Sequence, residues 1–432
     1  MRTSAPDQSA REPTMSSPRS HLKNLAQTYA EYALSDTMAQ RREKWRLHNR
    51  LQERTFPFHI EDNGTYLRDL TPSLRCDDEL ERQLEAQLLR SIISYEKIDD
   101  DRIIPTTFIV DWVTGISSYC DELEFTHVDD GFGGSFGYES NKPIRDIDAD
   151  FGKLKKRVPA LNREQTERRV ALAEEIFAGL LPVVLGRTSS LYSDGIANKA
   201  VHLMGMQELY LQMAMNPDAV HRLLTFIAED NTALGLWEEE QGLLILNNDG
   251  NQGYCSGSSQ FSDEIPGRQM EAGVAICSAD RYGYLEAQEA AGLSPDMFGE
   301  FLMPHFSKLA RGFRLMKFGC CEPVHDLMPH LQELHGIRKV SVTPWCNLER
   351  LATHCRKDII WSRKPVPLKL CDTVFDPDDF RAHLQETLDI GQDYFIELIF
   401  RDTNRLTGDM EQRLTEACRI VREITRHPEG RK

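Results

Sequence analysis

Apolar residues recur along the chain in two spacings that alternate. Short continuous apolar runs near residues 58, 109, 184, 245, 316, 341, 360 and 397 read as strands buried on both faces, the pattern of a parallel sheet. Between them lie stretches with an amphipathic helical period, at 77–98, 162–178, 201–215, 217–240, 294–311, 326–334, 347–355, 377–390 and 409–425. Some carry start signals, such as Ser294 before Pro295 and Pro217 with Asp218 in a first turn. Eight strands, each followed by helix, predict an α/β protein of the (β/α)8 TIM-barrel class with an N-terminal helical extension and loop insertions. A doubly wound open sheet is the alternative, but no G-x-G-x-x-G follows the first strand.

The pattern divides the chain into three parts. Residues 1–19 are Ser/Pro/Arg-rich and read as a disordered tail. Residues 20–55 form a polar helical extension, with Trp45 and Leu47 as sparse anchors that pack across the outside of the main domain. Residues 56–428 form the barrel. Residues 121–150 have no clear period and hold Gly131, Gly133, Gly134 and Gly137 among aromatics and acids. That stretch neither follows a strand nor opens a helix, so it reads as a hairpin or lid over the barrel mouth rather than a phosphate loop. Residues 250–260 are Gly/Ser-rich and read as a flexible loop at a strand end.

Composition narrows the partners. Hydrophobic residues make up 40% of the 432, enough for a sizeable core, and the net charge is −17. That charge opposes nucleic acid and anionic membrane surfaces. No apolar run approaches the roughly 20 residues that span a bilayer. The first residues contain no apolar signal region, and the ten cysteines show no compact even spacing. Reduced thiols and a cytoplasmic location are expected. A homodimer is compatible with the sequence.

In a (β/α)8 barrel the active site is built from residues just past the strand ends. Here those residues are Glu61 and Asp62, Asp111 and Trp112, Arg187, Asn247 to Asp249, Cys320 to Glu322, Thr343 to Trp345, Ser362 to Lys364, and Arg401 with Asp402. Asp111, Asp249, Glu322 and Lys364 are candidate catalytic groups; Trp112, Arg187, Asn247, Trp345 and Arg401 are candidate substrate contacts. A single acid after a strand is usually a helix cap, so the signal lies in the set.

The run Cys320-Cys321-Glu322-Pro323-Val324-His325 has two readings. Both thiols are small buried hydrophobes, or they are zinc ligands with Glu322 or His325 beside them and Cys346 or Cys371 supplying a further bond. Strand alternation assigns Cys321 to the barrel lumen, on the face of Lys317 and Gly319. It assigns Cys320 to the strand–helix layer, on the face of Met316 and Phe318. A β-bulge would reverse this.

The run 318–326 resembles the corresponding strand of the uroporphyrinogen decarboxylase-like superfamily. The resemblance extends to 247–250, to 294–298 with Pro304, to 340–345, to 362–365 and to Trp45-Arg46-Leu47-His48-Asn49. It spans roughly residues 40 to 425 and implies a (β/α)8 barrel. One branch of the superfamily is the decarboxylase of haem synthesis, whose Arg-rich N-terminal signature is absent here. The other is the zinc-dependent, corrinoid-linked methyltransferases, which use a His-x-Cys pair on this strand and a later Cys. Gly319 or Phe318 stands where that His should be, and residues 401–404 contain no cysteine. The resemblance therefore implies a methyltransferase-like branch with an altered zinc set of Cys320, Cys321, Glu322 and His325, closed by Asp402 or Glu397. It would move a methyl group between a corrinoid carried on a partner protein and a thiol. Two alternatives from other classes are a metal-free decarboxylase or lyase on a small carboxylic acid, with Arg187, Lys364 or Arg401 binding the carboxylate, and a non-catalytic corrinoid or tetrapyrrole binder.

Overall fold

The computed structural model describes residues 17–61, 65–129, 135–193, 195–249, 257–265, 274–403 and 405–426. Its strands, in chain order, are β1 (Phe58–Ile60), β2 (Phe108–Val110), β3 (Thr114–Ile116), β4 (Phe125–Asp129), β5 (Ser135–Ser140), β6 (Pro159–Leu161), β7 (Val183–Leu185), β8 (Tyr282–Leu285), β9 (Leu315–Phe318), β10 (Ile337–Val342), β11 (Ile360–Arg363) and β12 (Ile396–Phe400). The expected alternation is present as a parallel six-stranded sheet in the order β1-β12-β11-β10-β9-β8, with β2 and β7 forming a separate parallel pair. The insertion between β2 and β7 carries the expected hairpin, β4 paired antiparallel with β5, and an antiparallel β3–β6 pair. The expected glycines Gly131, Gly133 and Gly134, Asp62 and most of the 250–260 loop lie outside the described residues.

Among the described residues the strand ladders do not close into a barrel of eight. Among the described residues no strand pairing joins the six-stranded sheet to β2–β7. Side chains do that work instead. The apolar run at 243–249, expected as a strand, makes one parallel bridge, Arg187 to Leu244. Three residues on, the Asn247 amide donates to Tyr282 O at 2.8 Å and accepts from Tyr282 N at 3.0 Å, standing in for a strand residue beside β8. At the other end, the outer edge of β1 is satisfied by carboxylates. Ile60 N donates to Asp100 Oδ2 at 2.9 Å and Phe58 N to Asp101 Oδ2 at 3.0 Å.

The strand at β8 is absent from the pattern read off the sequence. Its run, Tyr-Gly-Tyr-Leu, is short and interrupted by Gly283, where a Cβ would run into Met316 Sδ and the Phe313 ring. The glycine weakens the sequence signal because it lets β9 pack close.

Alternation along the central strands separates two faces. Met316, Phe318, Val340, Val342, Trp361, Ile396 and Leu398 belong to the main apolar core, where Phe318 meets Phe306 edge-on at 5.6 Å. The opposite face is polar although buried. Lys317 Nζ donates to Ser362 Oγ at 2.8 Å, and Lys339 Nζ lies 2.6 Å from Glu397 Oε2 and 3.1 Å from Ser258 Oγ.

Helices begin where side chains satisfy the free N–H groups of the first turn. Ser17, Ser35, Asp78, Asp376 and Asp409 do so for the helices Pro18–Ala33, Asp36–Asn49, Glu79–Lys97, Pro377–Ile390 and Met410–Thr425. The first helix opens inside the stretch expected as tail, and Ser35 divides the extension into two helices. The extension does not merely cover the outside: Trp45 is fully buried, its Nε1 donates to Asp101 O at 2.7 Å, and its ring lies 5.4 Å from the Lys339 ammonium. The helix expected over 326–334 shrinks to Met328–Leu331. Among the described residues no helix is long and apolar enough to cross a membrane.

Candidate functional site

Parallel strands put their C-terminal ends on one side, and there a cavity of about 530 Å³ is lined by Arg187, Ser189, Ser190, Tyr284, Glu286 and Cys320, among others. How Cys320 reaches it follows from one backbone angle. Gly319 has φ +100°, a conformation that L side chains rarely adopt, and this ends the extended geometry of β9. The alternation that holds through Lys317 and Phe318 stops there. Cys320 turns into the cavity, and Cys321, expected in the lumen, is exposed. The expected assignment of the two thiols is therefore reversed.

The turn is pinned from several sides. Gly319 N donates to Leu285 O at 2.8 Å, Ser341 Oγ donates to Cys320 O at 3.0 Å, and the Lys364 ammonium reaches the same carbonyl. Glu322 does not bend over the mouth. It is fully buried, its Oε1 accepting from Ala287 N and its Oε2 from Cys320 N, both at 2.7 Å. Burial pushes its carboxyl up while those N–H groups pull it down, with a net upward shift. Its role is to shape the β8 and β9 ends.

Charge gathers around Cys320. Arg401 Nη1 lies 3.9 Å from its Sγ, and the same guanidinium pairs with Glu61 at 3.0 Å. Arg187 pairs with the buried Glu238 at 3.0 Å and reaches Ser189 Oγ at 3.5 Å. Burial lowers the Lys364 ammonium from the usual lysine range, against the attraction of Cys320. Cys321 Sγ is 3.6 Å from Cys320 Sγ; its hydrogen bond to Cys320, followed by desolvation, raises its thiol well above the ordinary range.

Other expected site residues lie elsewhere. Asp111 lines a separate cavity of about 210 Å³ with Phe108 and Arg169, next to the helices Glu79–Lys97 and Arg163–Phe177. Burial raises its carboxyl, opposed by Arg187 and Arg169. Trp112 stacks its ring 5.7 Å from the Arg163 guanidinium. Asp249 interacts with Arg42 of the N-terminal extension, its carboxyl raised by burial. Asn247 bridges backbone, as described above. Trp345 is 71% exposed. Cys346 accepts from Val324 N at 3.3 Å, a packing role.

The expected zinc set is not brought together. Glu322 is occupied by backbone N–H groups, His325 pairs with Asp326 at 3.7 Å, and Asp402 is exposed with its backbone N donating to Glu61 at 3.2 Å. Among the described residues no group of three His, Cys, Asp or Glu side chains is placed to hold a metal ion. Two thiols at 3.6 Å are close to the roughly 3.8 Å that separates two sulfurs on one tetrahedral zinc, but the described residues place no third donor beside them.

The sequence pattern does not reach Glu286, because its strand, β8, has no continuous apolar run; it follows that strand directly, as most of the other candidates follow theirs. Burial, then the carboxylates of Glu289 and Glu322 and the sulfur of Cys320, push its carboxyl up to about 8.

No family model matches the chain. No curated protein matches it. Among solved structures, a methyltransferase from Methanosarcina mazei aligns over 62% of this chain and 73% of its own, with 14% identity and a TM-score of 0.34, a likeness too low to assign fold or activity.

Proposed function

We propose that the chain is an enzyme that decarboxylates a small carboxylic acid in the cavity at the sheet's C-terminal end. The observation that carries this reading is the placement of one guanidinium, Arg187, and one carboxyl, Glu286, on the wall of the same cavity. Arg187 on the wall offers planar donors to a carboxylate, and Arg401 behind Cys320 adds positive charge. Tyr284 and Ser189 supply neutral hydrogen-bonding groups on the same wall. A small 3-oxo acid is the simplest substrate class, because its own carbonyl accepts the electron pair when carbon dioxide leaves.

The test is carbon dioxide release from acetoacetate, 3-oxoglutarate and related acids without added metal, together with malonate protection of Cys320 from alkylation. We expect turnover of at least one 3-oxo acid, and Arg187→Gln to lower kcat/KM by about tenfold or more, as loss of a charged hydrogen bond of roughly 1.5–3 kcal/mol requires. No turnover across the panel and no protection would end this reading.

The second reading is zinc-dependent methyl transfer to a thiol, with a corrinoid-bearing partner. The 3.6 Å sulfur pair is what favours it. Retention of one equivalent of zinc by the purified protein, lost in both Cys320→Ser and Cys321→Ser, would support it over the first.

A further inference from the structure

We propose that Glu286 is the proton donor of the mouth cavity, delivering its proton to the substrate carbon from which carbon dioxide has left; this rests on the decarboxylase reading above. The placement is geometric. Glu286 follows β8 and lines the same cavity as Cys320 and Arg187. Its Oε1 lies against Gly195, the residue that opens the helix Ile196–Met204, where a Cβ would come within 2.6 Å. A Cβ at that position would force the carboxyl to shift. Asp111 and Asp249, the acids expected for this role, line no part of the cavity.

The groups around Glu286 determine which form it holds. On its own segment, Gln288 N donates to its Oε2 at 3.3 Å, a long bond, and Glu289 is a buried neighbour fixed by Asn198 Nδ2 at 2.7 Å. From the β9 end come Glu322, anchored by two N–H groups, and Cys320. From the β7 end comes Arg187, whose charge Glu238 compensates. The start of the helix Ile196–Met204 favours the ionised form. Burial, with the carboxyls of Glu289 and Glu322 and the sulfur of Cys320 close by, outweighs it, and the carboxyl is pushed up to about 8. An acid poised near neutrality is what proton donation to carbon requires.

The step balances. The bond between the carboxyl carbon and the α carbon breaks, its electron pair passes into the 3-oxo group as an enolate, and carbon dioxide departs. The Glu286 O–H bond then breaks, its proton forms the new C–H bond, and the carbonyl re-forms. Glu286 is left as carboxylate and regains a proton from water.

The test compares the full-length protein with Glu286→Gln and Gly195→Ala, the latter crowding the carboxyl while its φ of −54° suits alanine. With acetoacetate or 3-oxoglutarate, Glu286→Gln should lose about 10²- to 10⁴-fold in kcat and Gly195→Ala a smaller part of that, while malonate still protects Cys320. Independently, the ratio of Cys320 alkylation rates by iodoacetate and iodoacetamide should fall as pH rises through about 8 in the Cys321→Ser protein, and the fall should be smaller when Glu286→Gln is added, leaving only the contribution of Lys364. The ratio cancels the thiolate fraction and reports only charge beside the sulfur. Glu286→Gln turnover within threefold of wild type, or a ratio that ignores Glu286, overturns the inference and leaves the decarboxylase reading standing. A wild type that neither turns over nor binds malonate removes both.

Discussion

Asp100 is the residue whose loss should cost most outside the apolar core. Its side chain is fully buried and holds four N–H groups: Ile60 N at 2.9 Å, Arg102 N at 3.0 Å, and Arg102 Nε and Nη2 at 2.8 and 2.9 Å. His59 Nδ1 lies 3.1 Å away. Asp100→Ala strands the Arg102 guanidinium, itself 5% exposed, and leaves the edge of β1 with an unsatisfied donor. Removing one partner of a buried ion pair costs about 3–5 kcal/mol. Against a typical total of roughly 5–15 kcal/mol, that is about a fifth or more of the stability. Asp100→Asn keeps an acceptor for Ile60 N and should cost less.

The charge also sets a pH dependence. Burial pushes the Asp100 carboxyl up, but Arg102 and His59 pull it further down, so it lies well below the ordinary range. A group depressed on folding contributes stability that is complete above its unfolded value of about 3.9 and is lost as pH falls below it. Urea unfolding at pH 7 and pH 3.5 measures both effects. A double replacement, Asp100→Leu with Arg102→Leu, should be less destabilising than Asp100→Ala alone, because neither charge is then stranded. An Asp100→Ala loss below about 1 kcal/mol, or a double variant worse than the sum of the singles, would refute the account of the β1 edge.

Gly319→Ala should lose about 1–2 kcal/mol from the left-handed backbone alone, with a Cβ forced to 3.0 Å from Ser341 Cβ; urea unfolding and slower Cys320 alkylation check it. Glu397, raised by burial but drawn down further by Lys339 and Lys317 to about 2, contributes stability that fades as pH falls from roughly 4.3 towards 2. Urea midpoints at pH 5, 4 and 3 should show that slope, and Lys339→Met should flatten it and cost about 3–5 kcal/mol by stranding Glu397. Iodoacetamide should label Cys321 and Cys320 in the native protein, while Cys346 and Cys418, both buried, react only after unfolding, as peptide mapping would show.

What the sequence reveals about this molecule follows the range over which each physical rule operates. Continuous apolar runs and caps are local, so the α/β alternation, most strand positions and the helix starts at Asp78, Asp376 and Asp409 can be read from neighbours a few residues away. The β8 strand could not, because Gly283 exists for the sake of Met316 and Phe313, 30 or more positions downstream in the chain. Nor could the joins between the two sheets. Nothing local marks Asn247 as a substitute for a strand residue, or Asp100 and Asp101 as caps on an edge about 40 positions earlier. The thiol assignment failed for a subtler reason. Alternation holds through Phe318, as the core membership of Met316 and Phe318 and the opposite placement of Lys317 attest. It ends one residue later, because Gly319 changes the backbone direction instead of placing a small side chain on one face. Sites built just past strand ends sit where the periodicity that locates the strand has already stopped. Periodicity therefore locates the neighbourhood of such a site, and the turn residues decide which side chains face it. Here those residues are Gly319, which swings Cys320 inward, and Gly195, which leaves space for the carboxyl of Glu286.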